Sequence, residues 1–223
     1  MKQITIILFL LFAGYFSFAQ NNFSAGICAE GGYFFPKKTY SGDSFNNNAA
    51  FGGGGFIQYN ITTKFAATLQ AGYRYKSNEN TTWIYTPIDG YDYGYGSETE
   101  THTYKQHYLI LPLKLSYLLT KKLSVEAGIE SAWILNYGKV TGDQLSEDVN
   151  APYHNFVNEK QEFDWIVGLG YKLSPKLQAS LNYTQGFKEQ GMGAIKNIGD
   201  SYGQIYKNRM LMFHLSYSIF GSK

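Results

Sequence analysis

Apolar and polar residues alternate along this chain in eight runs, near residues 23–35, 51–60, 65–76, 105–118, 123–137, 162–173, 177–188 and 207–220. A period of two marks β-strands with one apolar face. Three connections are short: Ile61-Thr62-Thr63-Lys64, Leu119-Thr120-Lys121-Lys122 and Ser174-Pro175-Lys176. The connections after the first, third, fifth and seventh runs are long, polar and rich in Gly, Asn, Asp and Ser. An even strand number, with tight turns at one end and long loops at the other, is the layout of a bacterial outer-membrane barrel. The predicted fold class is therefore all-β, an eight-stranded antiparallel up-and-down transmembrane β-barrel.

One face of the runs is read as carrying no charged side chain. Ile27 and Ala29 lie on this face in the first run, Leu69 and Ala71 in the third, and Leu109, Leu111, Leu113 and Leu115 in the fourth. Val125, Ala127 and Ile129, then Val167 and Leu169, then Leu211, Phe213 and Leu215 continue it. Aromatic residues gather toward the run ends, as in the interfacial girdles of a membrane barrel. A soluble β-sandwich would place the same face in its core. The end-loaded aromatics, the alternating loop lengths and an export leader favour lipid, which tolerates only closed sheets.

The opposite face carries the ionisable groups Glu30, Arg74, Lys76, Lys114, Glu126, Glu130, Asp164 and Lys172, together with Gln58, Gln70, Asn182 and His214. A one-residue slip would turn these charges to lipid, at about 2–4 kcal/mol for each Lys or Arg near the midplane. They are expected to pair inside the barrel. If Leu118 pairs with Lys122, Lys114 stands directly opposite Glu126, and Lys172 completes a Lys–Glu–Lys cluster at the turn end. The interior ion-pair cluster is read as Lys114, Glu126, Lys172, Glu130, Arg74, Glu30 and Asp164, with interior filling as its role.

Residues 1–19 read as a cleaved signal peptide: Lys2, an apolar stretch from Ile4 to Phe12, and Ser17-Phe18-Ala19 before the cut. The barrel domain is then expected to occupy 20–223, and no plug or peptidoglycan-binding domain is expected. The stretch is too short to span a bilayer as a helix. Cys28, the single cysteine, excludes an internal disulfide and reads as a small buried residue. Nineteen basic against 17 acidic residues give no case for nucleic-acid binding. The 20 Tyr and 16 Phe suit a membrane–water interface. The expected location is the outer membrane, as a monomer, with lipids and lipopolysaccharide as surroundings.

Both termini and the tight turns are expected to be periplasmic, and the long loops extracellular. The largest loop, about 77–103, sets Trp83 and Tyr85 against Tyr91, Asp92, Tyr93 and Tyr95 around Pro87-Ile88-Asp89-Gly90, which suggests a hairpin rising beyond the membrane. Trp83, Tyr85, Asp89, Tyr91, Asp92, Tyr93 and Tyr95 form a candidate surface-binding loop for a glycan, a protein or bridging cations. A tall strand extension without a ligand is the simpler account. Loop 138–161 carries Asp143, Glu147 and Asp148, too irregular for a calcium loop, and loop 189–206 is read as a mobile Gly-rich segment.

Tyr108-Leu109-Ile110-Leu111-Pro112-Leu113-Lys114-Leu115-Ser116-Tyr117 resembles the PorT-type outer membrane protein β-barrel family of Bacteroidota, in which a proline interrupts an apolar strand ending in a basic residue and tyrosine. Ile110 stands where that family often has Glu. The Phe18-Ala19-Gln20 leader end is similar to that group as well. The resemblance implies an accessory role in a protein secretion system. Physically, Pro112 removes a ladder donor and should mark a bulge or local break. The final run, Leu211 to Phe220, resembles the aromatic-ended last strand recognised by barrel assembly machinery.

No cofactor is expected and no catalysis is assigned. His214-Leu215-Ser216 has the His-x-Ser spacing of a lipid A deacylase family, but parity points both side chains inward and no acid follows in the strand. His102, His107 and His154 lack metal-site spacing. Gly52 to Gly55 lacks the Lys-Ser/Thr of a phosphate loop and suits sharp curvature or close contact with a bulky interior neighbour. Eight strands leave an interior that side chains fill, so general diffusion is not expected. The function read from the sequence is a structural or surface-binding barrel. The alternatives are a narrow porin-like pore, a secretion-system accessory and a lipid A-modifying enzyme.

Overall fold

The computed structural model describes residues 22–38, 44–87, 95–137, 141–142, 154–157, 161–197 and 200–221. Eight long strands follow one another: β1 Phe23–Phe34, β2 Ser44–Asn60, β3 Phe65–Pro87, β4 Tyr95–Leu118, β5 Leu123–Tyr137, β6 Gln161–Lys172, β7 Leu177–Asn197 and β8 Asp200–Phe220. Each pairs antiparallel with its neighbour in sequence, and β8 returns to pair with β1 from Ala25↔Phe220 to Phe34↔Met210. The sheet is thereby a closed eight-stranded barrel. Short segments add to its rim: Lys37–Lys38 on β8, Thr141–Gly142 on β4 and His154–Val157 on β7.

The three short turns share one construction, dictated by an apolar residue, then Ser or Thr, any residue, and Lys. Thr62, Thr120 and Ser174 each accept, on the side-chain hydroxyl, backbone N–H groups two and three residues ahead, at 3.0–3.3 Å. Their own N–H groups donate across the turn to the carbonyls of Phe65, Leu123 and Leu177, each at 3.1 Å. The hydroxyl substitutes for the ladder bonds that the turn breaks.

This turn shifts the expected register. Leu118 pairs with Ser124 rather than with Lys122, so Glu126 faces Ser116 and Lys114 faces Gly128. The Leu119 N–H donates to the Leu123 carbonyl, so the end of β4 closes on Leu123 and not on Lys121. Pro112 causes no bulge against β5, where Pro112↔Glu130 continues the register. On its β3 side the ladder is interrupted, with pairs at Leu69↔Leu113 and Gly72↔Ile110 but none between. The bulge in β4–β5 lies higher, between His107↔Asn136 and Tyr108↔Ile134.

Several strands outrun their apolar alternation. β3 and β4 stay paired from Ser77↔Lys105 to Pro87↔Tyr95, which builds the hairpin expected in the largest loop. Segment 189–206, expected as a mobile loop, instead pairs from Glu189↔Lys207 to Asn197↔Asp200. Gly191, Gly193, Ser201 and Gly203 occupy a hairpin, because backbone pairing needs no apolar face.

Side-chain parity holds around the wall. Ile27, Ile57, Leu69, Leu111, Leu113, Ile129, Val167, Leu169 and Leu215 point outward. Two aromatic belts bound them. At the turn end, Phe23 lies 4.9 Å from Tyr59 and Phe65 4.7 Å from Tyr117. At the hairpin end, Phe51 lies 4.8 Å from Tyr75 and Trp165 5.3 Å from Tyr183. Gly52 and Gly54 point inward. A Cβ on Gly52 would lie 2.3 Å from the Tyr73 carbonyl oxygen and 3.0 Å from Glu30 Oε1. The missing side chain makes room for the carboxylate that meets Arg74.

Candidate functional site

The interior groups sort into three levels along the barrel. Nearest the turns, Lys114 Nζ lies 3.0 Å from Glu126 Oε2, and Gln178 Nε2 donates to Glu126 Oε1 at 2.9 Å. Lys114 reaches Glu126 diagonally, past Gly128, rather than straight across. Lys172 is half-buried, and no ion pair joins it to this cluster among the described residues. Gln178 from β7 takes the place expected for it. Replacing Glu126 with Leu leaves a largely buried ammonium unpaired, a loss of about 3 kcal/mol. The heat resistance of the folded band on detergent gels should fall; an unshifted transition would show that the pair carries no stability.

At the middle level Arg74 serves two carboxylates at once. Its Nε donates to Glu30 Oε1 at 2.5 Å and one Nη to Glu30 Oε2 at 3.2 Å. Both Nη atoms donate to Glu130, one to Oε2 at 2.9 Å and one to Oε1. A planar guanidinium is the one cationic side chain that offers such paired bonds on two edges. His214 Nδ1 stands 3.3 Å from Glu30 Oε2. The register makes this meeting possible, because Glu30 lies between Gly52 and His214 on its two neighbouring strands.

The third level, toward the hairpins, combines charge with apolar packing. Lys76 Nζ lies 2.9 Å from Glu162 Oε2 and over the rings of Tyr108 and Phe34, at 4.1 and 5.5 Å. The Tyr108 hydroxyl donates to Glu162 Oε1 at 2.6 Å. Asn208 Nδ2 donates to Glu162 Oε2 at 3.3 Å and to Asp164 Oδ2. Phe34, Met210 and Met212 pack as an apolar cluster, as do Tyr108, Ile110 and Ala132. Arg74, Lys76, Glu130 and Glu162 are each at most 1% exposed, so these levels close the bore.

Of the residues expected to cluster, Glu30, Arg74 and Glu130 meet one another, Lys114 meets Glu126, and Asp164 joins the level above through Asn208. Glu162 is an interior member that the sequence reading omitted, although it shares parity with Asp164. Lys105, Lys207 and Arg209 stand on the face expected to be free of charge, where they continue the outward parity beyond the belts. His214 and Ser216 point inward, away from the apolar wall.

Of the candidate surface-binding loop, Trp83, Tyr85 and Tyr95 lie on the backbone of the β3–β4 hairpin, in the pairs Trp83↔Thr99, Tyr85↔Ser97 and Pro87↔Tyr95. Asp89, Tyr91, Asp92 and Tyr93 lie outside the described residues, as do Asp143, Glu147, Asp148 and the leader.

The chain matches the family model described as the outer membrane protein beta-barrel domain over residues 8–189. No curated protein matches it. Among solved structures it is similar to the outer membrane protein OprG from Pseudomonas aeruginosa, at 11% identity and a TM-score of 0.51, covering 90% of this chain and 99% of that one. It is also similar to the outer membrane protease OmpT from Escherichia coli, at 13% identity and a TM-score of 0.40, covering 89% and 95%. The OprG likeness concerns the fold alone.

Proposed function

For a chain that belongs to the outer membrane protein beta-barrel domain family, and so resides in the outer membrane, we propose a structural or surface-binding role without catalysis. The observation that carries this reading is the filled bore. Arg74 with its two carboxylates, and Lys76 with Glu162 and Tyr108, occupy the interior where a channel or a cleft would need space. Contact with other molecules then falls to the hairpins, which face outward from the cell while the Ser/Thr-Lys turns face the periplasm. Molecules met by Trp83, Tyr85 and their loop would be glycans or proteins at the surface. Insertion is assigned to barrel assembly machinery acting on the last strand, and the folded protein is a monomer.

Planar-bilayer recording tests the sealed interior. The refolded protein should give no stepwise conductance at moderate voltage. Regular opening steps would replace this reading with the narrow pore.

A second reading is favoured by one local feature. The Tyr108–Tyr117 strand resembles that of PorT-type barrels, which supports a secretion accessory. Loss of protein export in a deletion strain is its expected consequence; normal export removes it.

A further inference from the structure

On the outer wall, where β1 meets β8, a cationic stripe sits above the aromatic belt. Lys37, on the short segment beyond β1, pairs directly with Lys207 of β8. Arg209 lies two residues further along β8 on the same face. Asn208 and Met210, which flank it, are fully buried in the interior, so Lys207, Arg209 and Leu211 point outward. Like charges directly opposed across an antiparallel pair repel. None of the three cations makes an ion pair among the described residues. Glu189 stands opposite Lys207 on the β7 side, leaving three cations against one carboxylate.

Arg209 sharpens the point. Its Nε is covered by protein and has no hydrogen-bond partner. Gln185, opposite it, already accepts the Tyr183 hydroxyl at 2.8 Å on its oxygen, so its amide nitrogen remains available as a donor. Below the cations the wall turns apolar. Tyr33 pairs with Leu211, the rings of Tyr33 and Phe35 lie 6.2 Å apart, and those of Phe35 and Tyr183 6.1 Å. The Phe35 N–H donates to the Arg209 carbonyl at 2.8 Å, which joins the two parts of the stripe.

We propose that Lys37, Lys207 and Arg209 hold the phosphate of a phosphorylated glycolipid of the outer leaflet, with its acyl chains lying along Tyr33, Phe35 and Leu211. A phosphate relieves the Lys37–Lys207 opposition and gives the terminal Nη atoms of Arg209 an acceptor. The apolar strip beneath selects a lipid over a free anion, because each buried methylene adds to binding. The assignment to the outer leaflet rests on the orientation proposed above, with hairpins outward.

Native mass spectrometry of the refolded full chain in dodecyl maltoside, titrated with bisphosphorylated lipid A, tests the site. K37Q/K207Q/R209Q should bind about a hundred-fold more weakly than the parent, and K37Q alone about five-fold, the worth of one cation at an anionic membrane surface. Lys37 is exposed near the rim, so K37Q keeps the test open if the triple variant fails to refold. Dephosphorylated lipid A should bind the parent no better than it binds the triple variant. Equal binding of bisphosphorylated lipid A by parent and variants would overturn the proposal. So would displacement of the lipid by equimolar inorganic phosphate, which would make this a free-anion site. Micellar binding does not depend on orientation. Whole-cell protease cleavage of the hairpins therefore reports on the orientation alone, and this titration on the site alone.

Discussion

Replacing Arg74 with Leu is expected to be the most damaging single change inside the barrel. Glu30 and Glu130 would be left buried and facing each other without a cation, and one broken buried pair already costs about 3–5 kcal/mol. Arg74 anchors two such carboxylates, which places the loss at the upper end of that range. Urea unfolding of the refolded protein in micelles, followed by tryptophan fluorescence, should show a much lower midpoint. Adding E30Q and E130Q to R74L removes the stranded charges and should recover more than half of the loss, since neutral amides can satisfy one another. R74K should fall between, because an ammonium cannot present paired donors to two carboxylates. An R74L midpoint equal to that of the parent would show that the interior is wet enough to hydrate both acids.

The second large effect lies on the other side of the same wall. Leu113 points outward between Leu69 and Ile129, within the band bounded by the two aromatic belts. Leu113→Arg should cost about 2–4 kcal/mol, the price of a guanidinium near the bilayer midplane. Leu113→Met, which keeps the surface apolar, should cost less than about 1.5 kcal/mol. Folding yield into phosphatidylcholine vesicles, scored by the heat-modifiable band, reads the difference. Equal yields for Arg and Met would mean that this face meets water. The two variants together separate the faces: one removes a cation where the fold requires it, the other adds one where the fold excludes it.

Much of this architecture is legible in the residues because the side-chain period of a strand is two, and a barrel assigns one environment to each parity. Ile27, Leu111 and Val167 identify the outside, and Glu30, Arg74 and Glu126 the inside, without knowledge of strand neighbours. The short turns are visible as breaks between runs, but their hydrogen-bonding is not. Whether Leu118 pairs across three residues with Lys122 or across five with Ser124 changes the residue facing Glu126 from Lys114 to Ser116. The salt bridge forms in either register, because a lysine side chain spans the diagonal.

In the largest loop the hairpin itself is legible, but its unbroken join to the wall is not. Beyond the belts, residues such as Asn78, Glu79 and Asn80 continue β3 with no apolar face to record the period. The same cause concealed 189–206, where backbone pairing persists without alternation. The three-way meeting of Glu30, Arg74 and Glu130 is beyond sequence reach as well. Forty-four residues separate the first pair and 56 the second, and only closure and shear bring them to one level. The cationic stripe shares this property, since Lys37 meets Lys207 solely through the β1–β8 seam.

The two faces of β5 should meet lipid on one side and a dry interior on the other. Cys28 is first replaced by Ala, and single spin labels are then placed at successive positions from 124 to 132 in the protein reconstituted in lipid vesicles. Collision with dissolved oxygen should be high at Val125, Ala127, Ile129 and Ser131 and low at Ser124, Glu126, Gly128, Glu130 and Ala132. Collision with a water-soluble nickel chelate should be low at all nine. Strong nickel collision at the even positions, or oxygen accessibility without a period of two, would contradict a lipid-facing wall around a filled bore.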